Sequence, residues 1–583
     1  MKFSDFFSRA RIRRYAEIDP DEVLLDASNI PKYDKNSLEG RLEKPISKAS
    51  LYSIVGALTI VFIIFLAQAW KLQIADGETY LTRSNMNLLR PVPIFAARGT
   101  ITDRNGVLLA WNAPSGNGGG DSSASGTQAV SAMDDYVPKR EYATTTGLAH
   151  IQGYVQYPSK DNNGFYYTED FQGIDGAEKY FNSELQGING SRLIEVDAHN
   201  KIVSQNIVKS PVSGQNVALS VDSRVQSELF NNIKAIADQY GFKGGAGIIM
   251  NTRTGEIIAL TSYPEYNPQV MSDKTDKSAV IAELNNPDLP FLDRAVDGLY
   301  TPGSIVKPYI ALGVLNEGVI DPNKIIVTTG SISVPNPYNP SQVSVFNDWK
   351  DLGPLDLRHA IAMSSDAYFY TVGGGYKDQN GLGIANIDKY LRLFGFGSVI
   401  PDSFVSGKSG TIPTPEWKKA TFNEPWYLGD TYHTAIGQYG TQVTPAQIVR
   451  AVAAVANGGT LLVPTIIKGD GPHVDRVIDS IPQNDFQIVR EGMRLSATIG
   501  TGKAMNVPYE EFATKTGTAE LGASKEKVNS WITGFWPYQS PKYAFAVMLE
   551  QGSVHNLIGA AAVMRRTADW MEIHTPEYFN VSP

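Results

Sequence analysis

Ser304 and Lys307 lie three residues apart in YTPGSIVKPYIA, just after Pro302-Gly303, where the apolar spacing predicts that a helix begins. On a shared helix face the lysine can take the serine's proton, provided burial and nearby cations keep its amine neutral. The plainer use of Ser304 is as a cap, its hydroxyl accepting a bond from an orphan backbone N–H a few residues on. Pro308 sets the boundary: a residue without a donor fits only in the first turn, so the helix cannot start much before Ser304.

Two more groups carry related chemistry. AMSSDAYFY places Ser364, Ser365 and Asp366 near the start of a helical run, and TKTGTAE places Lys515, Thr516, Gly517 and Thr518 at the head of the last strands. Taken singly, each has an ordinary structural use: a cap, a helix start, a strand leaving a turn. Two of the spacings also recur, at Ser524 and Lys527 and in KSGT at 408–411, where the flanking SG and IPTP read as loop. In combination the three groups supply what acyl transfer needs. Lys307 takes the proton of Ser304, and Lys515 is the cation that keeps Lys307 neutral. Ser364 relays a proton to the leaving amine, and Asp366 positions the lysines. Lys515, Thr516 and Thr518 offer charge and hydroxyls to a substrate carboxylate, while Gly517 lets that substrate lie close to the strand. A helix N-terminus at Ser304 aims a positive dipole end at the site of attack, and the backbone N–H groups of Ser304 and Thr518 suit an oxyanion hole.

These groups need a scaffold, and 583 residues at 42% hydrophobic against 19% charged provide one of two or more domains. A net charge of -9 without a basic patch predicts no nucleic-acid partner. Zero cysteines exclude thiol catalysis, disulfides and Cys-ligated metal. ASLYSIVGALTIVFIIFLAQAW, residues 49–70, is uncharged and as a helix would run roughly 33 Å, enough for a bilayer core of about 30 Å. Ala67-x-Ala69 mimics a signal-peptidase site, but the long preceding segment and long apolar core favour an uncleaved anchor. Lys32, Lys35, Arg41, Lys44 and Lys48 before it, against Lys71, Arg83 and Arg90 after it, predict residues 1–48 as a cytoplasmic tail and the rest outside the cytoplasm.

Residues 71–213 are predicted as a β-rich pedestal. It holds a hairpin about Asp103-Arg104-Asn105-Gly106, a Gly- and Ser-rich flexible loop at 114–132, and strands in GLAHIQGYV and GSRLIEVDA. Residues 214–583 are predicted as an α+β domain: NVALSVDSRVQSELFNNIKAIA gives a strand and an amphipathic helix from near Asp222, and GGAGIIMNTRTGEIIALTSYP a hairpin about Thr252–Gly255. VNSWITGFWP and YAFAVMLEQG are two further strands, and IGAAAVMRRTADWME a closing helix, so one sheet joins distant parts of the chain.

From the span to the C-terminus the chain resembles class B penicillin-binding proteins, the monofunctional peptidoglycan D,D-transpeptidases. The likeness is carried by ARGTITDRNGVLLAWN, GQNVALSVDSRVQ, LDRAVDGLYTPGSIVKP, AMSSDAYFY, TAIGQYGTQVTPAQ and TKTGTAE, the S-x-x-K, S-D-N-type and K-T-G set of that family. Asp366 in place of the commoner Asn, with FNDWKDLG and WYLGDTYHTAIGQ, resembles the elongation-type branch, penicillin-binding protein 2. The resemblance implies a penicillin-binding/β-lactamase-like transpeptidase domain, an antiparallel sheet between helical layers, on a dimerisation-like pedestal. It implies that Ser304 attacks the D-Ala-D-Ala end of a stem peptide on lipid-linked nascent glycan, that D-alanine leaves, and that a neighbouring amine resolves the acyl-enzyme. β-Lactams would trap Ser304, and a RodA-type SEDS glycosyltransferase is the expected partner. The chain departs from the family between Asn112 and Tyr142, where the Gly/Ser-rich stretch replaces a substantial head subdomain. Some elongation-type relatives bind a metal through a Cys; Ser365 stands there and no cysteine exists, so no metal and no cofactor are expected. A D,D-carboxypeptidase, in which water resolves the acyl-enzyme, and a catalytically weak scaffold remain open alternatives.

Overall fold

The computed structural model of the chain describes residues 48–80, 89–113, 137–161, 166–196, 202–336 and 339–579. The predicted tail before Lys48 and the Gly/Ser-rich loop at 114–132 lie outside the described residues. The chain divides into two units, residues 1–89 and 90–583. In the first, helix α1 (Lys48–Trp70) continues through one wider turn, Lys71–Ala75, and no residue of α1 is buried. The whole 28-residue run is long and apolar enough to cross a membrane.

In the second unit, strands Ile101–Thr102 and Leu108–Asn112 form the expected hairpin, within a four-stranded sheet completed by Val217–Ala218 and Arg140–Tyr142. Asp103 closes the turn by accepting from the backbone N–H groups of Asn105 and Val107 at 2.8 and 2.9 Å. Its other carboxylate oxygen accepts from the Ser223 hydroxyl at 2.7 Å, tying the hairpin to α2 (Ser223–Tyr240). Asp222 caps α2, as its position in the sequence suggests. Glu178, fully buried, bridges two buried guanidiniums, with Arg98 Nε at 2.5 Å and Arg140 Nε at 2.6 Å.

One expectation fails here: in GLAHIQGYV, Ala149–Gln152 is a short helix, and only Val155–Gln156 is strand. The cause is remote in sequence. Glu265 accepts from the N–H groups of Gly147 and Ala149 at 2.7 and 2.9 Å, supplying from the C-terminal domain the carboxylate that stabilises a helix start. All four helical residues are buried, so no polar alternation marks the helix in the sequence.

The C-terminal domain is built on five antiparallel strands: β1 (Gly244–Asn251), β2 (Ile257–Tyr263), β3 (Ala513–Leu521), β4 (Lys527–Trp536) and β5 (Tyr543–Ser553). Their order, β2-β1-β5-β4-β3, places the last strands of the chain beside the first hairpin of this domain. β1 is buried along nearly its whole length, and Gly245 and Gly247 allow α2 to approach: a Cβ there would stand 2.8 Å from Ile233 and Leu229 respectively. Between β2 and β3 the chain forms, among other elements, α3 (Lys307–Asn316), α4 (Leu357–Met363), α5 (Asp366–Gly374), α6 (Leu428–Ala435), α7 (Pro445–Ala456) and α8 (Gln483–Thr498). α7 is buried on every side against one face of the sheet; α2 and α9 (Ala560–His574) cover the other. The result is an antiparallel sheet between helical layers, with β3 as an open edge facing the helical half.

Candidate active site

Gly303–Val306 form a 3-10 turn, and α3 begins at Lys307 with Pro308 in its first turn. The sequence placed the α-helix at Ser304; one tighter turn comes first. Because i and i+3 eclipse in a 3-10 turn, Ser304 and Lys307 project to the same side. Ser304 caps neither element through its side chain, so its half-buried hydroxyl is not committed to the helix. The turn is fixed from three directions. Gly303 has φ +59° and donates its N–H to Gly437 O at 3.0 Å, and a Cβ on it would stand 2.8 Å from Thr518 O. Trp531 of β4 donates its indole N–H to Thr301 O at 3.0 Å.

Ser364 lies just before the start of α5, as the sequence suggests, and also ends α4: it is in the left-handed conformation, φ +58°, and Ser365 caps α5. A non-glycine residue held there stores about 1–3 kcal/mol of backbone strain. In this conformation the Ser364 carbonyl faces Lys307 and its hydroxyl faces both lysines. Lys307 Nζ lies 2.7 Å from Ser364 O, 3.5 Å from Ser364 Oγ and 2.6 Å from Asp366 Oδ1. Lys515 Nζ, reaching from β3, is 2.8 Å from Ser364 Oγ and 2.8 Å from Thr516 O. The side chains of Lys307, Ser364, Asp366 and Lys515 thus form one connected polar cluster.

Strand alternation divides the rest. Lys515 and Gly517 point to the buried face of β3, and Thr516 and Thr518 to the open one. Gly517 does not make room for a substrate as expected: a Cβ there would stand 2.8 Å from Pro302 O and 2.9 Å from Ile305 Cγ2. That space belongs to the nucleophile turn, which packs directly on β3. Thr516 Oγ1 shares a 2.6 Å hydrogen bond with Thr501 Oγ1, and Thr501 donates its N–H to Ala362 O, which links β3 to α4.

Lys307 and Lys515 are both fully buried, and their charges are handled differently. Lys307 has the Asp366 carboxylate as counter-ion. Lys515 is held well below the ordinary lysine range, first by loss of hydration and then by the neighbouring Lys307 charge, with Asp366 opposing. The sequence assigned burial and a neighbouring cation to Lys307; in the folded site both bear on Lys515, while Asp366 pairs with Lys307.

The family profile described as the penicillin binding protein transpeptidase domain matches residues 245–569, and the penicillin-binding protein dimerisation domain matches residues 125–219. The chain is a class B penicillin-binding protein. It is similar to the peptidoglycan D,D-transpeptidase MrdA of Acinetobacter baumannii, 28% identical, over 88% of this chain and 86% of that one. The solved structure of Pseudomonas aeruginosa PBP2 in complex with WCK 5153 matches with TM-score 0.65 and 27% identity, over 83% of this chain and 98% of that one. PBP2 of Helicobacter pylori, solved in complex with MreC, matches with TM-score 0.66 and 26% identity, over 83% and 98% of the two chains.

In this penicillin-binding protein the repeated spacings lie apart from the cluster: Ser524 is in the turn between β3 and β4, and KSGT at 408–411 is in a loop. Asp348 is a residue whose role the sequence did not disclose. Its Oδ2 accepts from the Ser365 hydroxyl at 2.6 Å and from Ala367 N–H at 2.9 Å, fixing the corner that carries Ser364. Trp349, beside it, donates to Met363 O at 3.1 Å, satisfying a carbonyl at the end of α4. FNDWKDLG was legible only as a family marker, because its partners lie across a turn that sequence spacing does not predict.

Proposed function

We infer that the protein is a membrane-anchored peptidoglycan D,D-transpeptidase, a serine acyltransferase that cross-links stem peptides in the wall synthesis of cell elongation and shape. The observation that carries this is the continuous contact Lys307–Ser364–Lys515 beginning one 3-10 turn after an uncommitted serine. Ser304 is the nucleophile. A substrate carboxylate arriving near Lys515, Thr516 and Thr518 favours the charged form of Lys515. Ser364 then passes its hydroxyl proton to Lys515 and takes one from Lys307. Lys307, now neutral, removes the Ser304 proton as Ser304 Oγ attacks the D-Ala-D-Ala carbonyl. The backbone N–H groups of Ser304 and Thr518 receive the oxyanion, and the proton returns through Ser364 to the departing D-alanine amine. Asp366 orients Lys307 throughout.

The division proposed from the sequence is retained: tail 1–48, anchor 49–70, pedestal 71–213 and transpeptidase domain 214–583. The excess of Lys and Arg before the anchor supports a cytoplasmic N-terminus and an extracytoplasmic catalytic domain. A RodA-type SEDS glycosyltransferase is the proposed partner, lipid-linked nascent glycan carries the stem peptides, and β-lactams acylate Ser304. The test is labelling of the full chain, purified in detergent, with a fluorescent penicillin, beside Ser304→Ala. Durable covalent label that disappears in the variant is expected; equal label in both would remove Ser304 from the role.

A further inference from the structure

The nucleophile turn is fastened by a backbone bond whose acceptor is set outside the three motifs. Gly303 donates its N–H to Gly437 O at 3.0 Å, and the next peptide along carries the Ser304 N–H that suits the oxyanion. Gly437 ends α6: the N–H groups of Gly437 and Gln438 return to the carbonyls of Thr434 and His433 at 3.0 and 2.9 Å, a helix ending that needs the left-handed φ of +75°. A Cβ on Gly437 would overlap Gly303 O, so the two glycines meet with no space between them. Where the Gly437 carbonyl points therefore depends on how α6 is held.

Lys418 holds it. This lysine, in the helix Pro415–Phe422, is buried, and its amine meets Asp430 Oδ2 at 2.6 Å. The same oxygen accepts from the Tyr427 N–H at 2.7 Å, which fixes the first turn of α6. The amine also lies 4.6 Å from the centre of the Tyr427 ring and 5.5 Å from that of Tyr439, both cation–π distances. Tyr439, left-handed at φ +55°, lies just past Gly437, and its ring meets those of Trp417 and Trp426 edge-on at 6.0 and 5.9 Å. One cation thus grips the chain on both sides of Gly437, at Asp430 and at Tyr439. Loss of hydration works against this charge and the bond to Asp430 outweighs it, so Lys418 keeps its proton above the ordinary lysine range.

We propose that Lys418 is a positioning residue for the oxyanion hole: its grip on Asp430 and Tyr439 sets Gly437, and through the Gly437–Gly303 bond the direction of the Ser304 N–H. Removing the charge leaves Asp430 without its counter-ion, and the carboxylate regains water only by moving α6 and Gly437 with it. No proton passes through Lys418. This rests on the reading that Ser304 is acylated and that its N–H receives the oxyanion.

The experiment takes the full chain in detergent and compares wild type with Lys418→Met, Asp430→Asn and the double variant. Penicillin labelling over a range of concentrations separates the affinity of the first complex from the rate of acylation, and each rate is expressed per labelled site so that unfolded molecules do not enter. Deleting an oxyanion donor costs about 10²–10³ in rate, and a donor turned aside keeps part of its effect, so acylation should slow about tenfold in each single variant. Affinity in the first complex stays unchanged, because Lys515, Thr516 and Thr518 are untouched. A boronic acid analogue of the acyl-D-alanine unit forms a tetrahedral adduct on Ser304, so its affinity falls by the same factor as the acylation rate. The double variant loses about tenfold in total rather than about a hundredfold, since both changes break the same pair. Normal acylation in Lys418→Met overturns the proposal, as does a loss confined to first-complex affinity, or a double variant whose loss is the product of the two single ones. If Lys418→Met does not fold, Asp430→Asn decides: a normal acylation rate, or a boronate affinity that does not follow the rate, overturns the proposal. Wild type that takes no penicillin label would overturn the Ser304 reading, whereas labelled wild type beside indifferent variants removes only the role of Lys418.

Discussion

Replacing Asp348 by Ala removes a residue whose hydrogen bonds reach none of Ser304, Lys307, Ser364, Asp366 and Lys515, yet should weaken acylation through the corner that carries Ser364. One carboxylate oxygen accepts from Ser365 at 2.6 Å and from Ala367 N–H at 2.9 Å. Hydrogen bonds to a charged acceptor contribute about 1.5–3 kcal/mol each, and water replaces part of that because Asp348 is partly exposed. A net loss of about 2–3 kcal/mol is reasonable for the pair. If it falls on positioning Ser364, whose left-handed backbone the Ser365 corner helps to hold, penicillin acylation slows roughly 30- to 150-fold. Asp348→Asn keeps an oxygen acceptor and loses the charge, and should cost about 1 kcal/mol, near fivefold. The assay is the second-order rate of fluorescent penicillin labelling, with thermal unfolding measured on the same samples. Wild-type labelling by Asp348→Ala would show that the lysine contacts hold Ser364 unaided, and the reasoning would fail. A loss of rate matched by loss of folded protein would refute it equally.

Two further predictions concern charge. Glu178→Gln should destabilise the pedestal by about 3–5 kcal/mol, since it leaves Arg98 and Arg140 buried with no counter-charge; proteolysis with mass mapping should place the first cuts between residues 90 and 213, whereas an unchanged pattern would mean the pair is dispensable. Asp366→Asn removes the charge that opposes the lowering of Lys515, so Lys515 stays neutral to lower pH. If neutral Lys515 opens the proton path, acylation must fall as pH drops through that value, and the acid limb should move down in the variant. A limb that stays in place, or moves up, would exclude Lys515 from the first proton transfer.

The residues of the site were legible in the sequence because catalysis constrains residue type and local spacing. Ser304 with Lys307, Ser364 with Asp366, and Lys515 with Thr516 are each fixed within one turn or one strand, where spacing translates directly into geometry. The apolar runs of β4 and β5, the Asp222 cap and the long apolar α1 were readable for the same reason. Contacts between distant segments were not. Gly517 looked like room for a substrate until Pro302 was found in that space, and Ala149–Gln152 looked like strand until Glu265 supplied its cap. The order of the two lysine environments was likewise decided in the fold, where Asp366 lies 2.6 Å from Lys307 and burial then bears on Lys515. Sequence alone determined which chemistry the chain carries. Tertiary structure decided that burial and a neighbouring cation bear on Lys515, because proton affinity depends on distance and hydration, and neither follows from position along the chain.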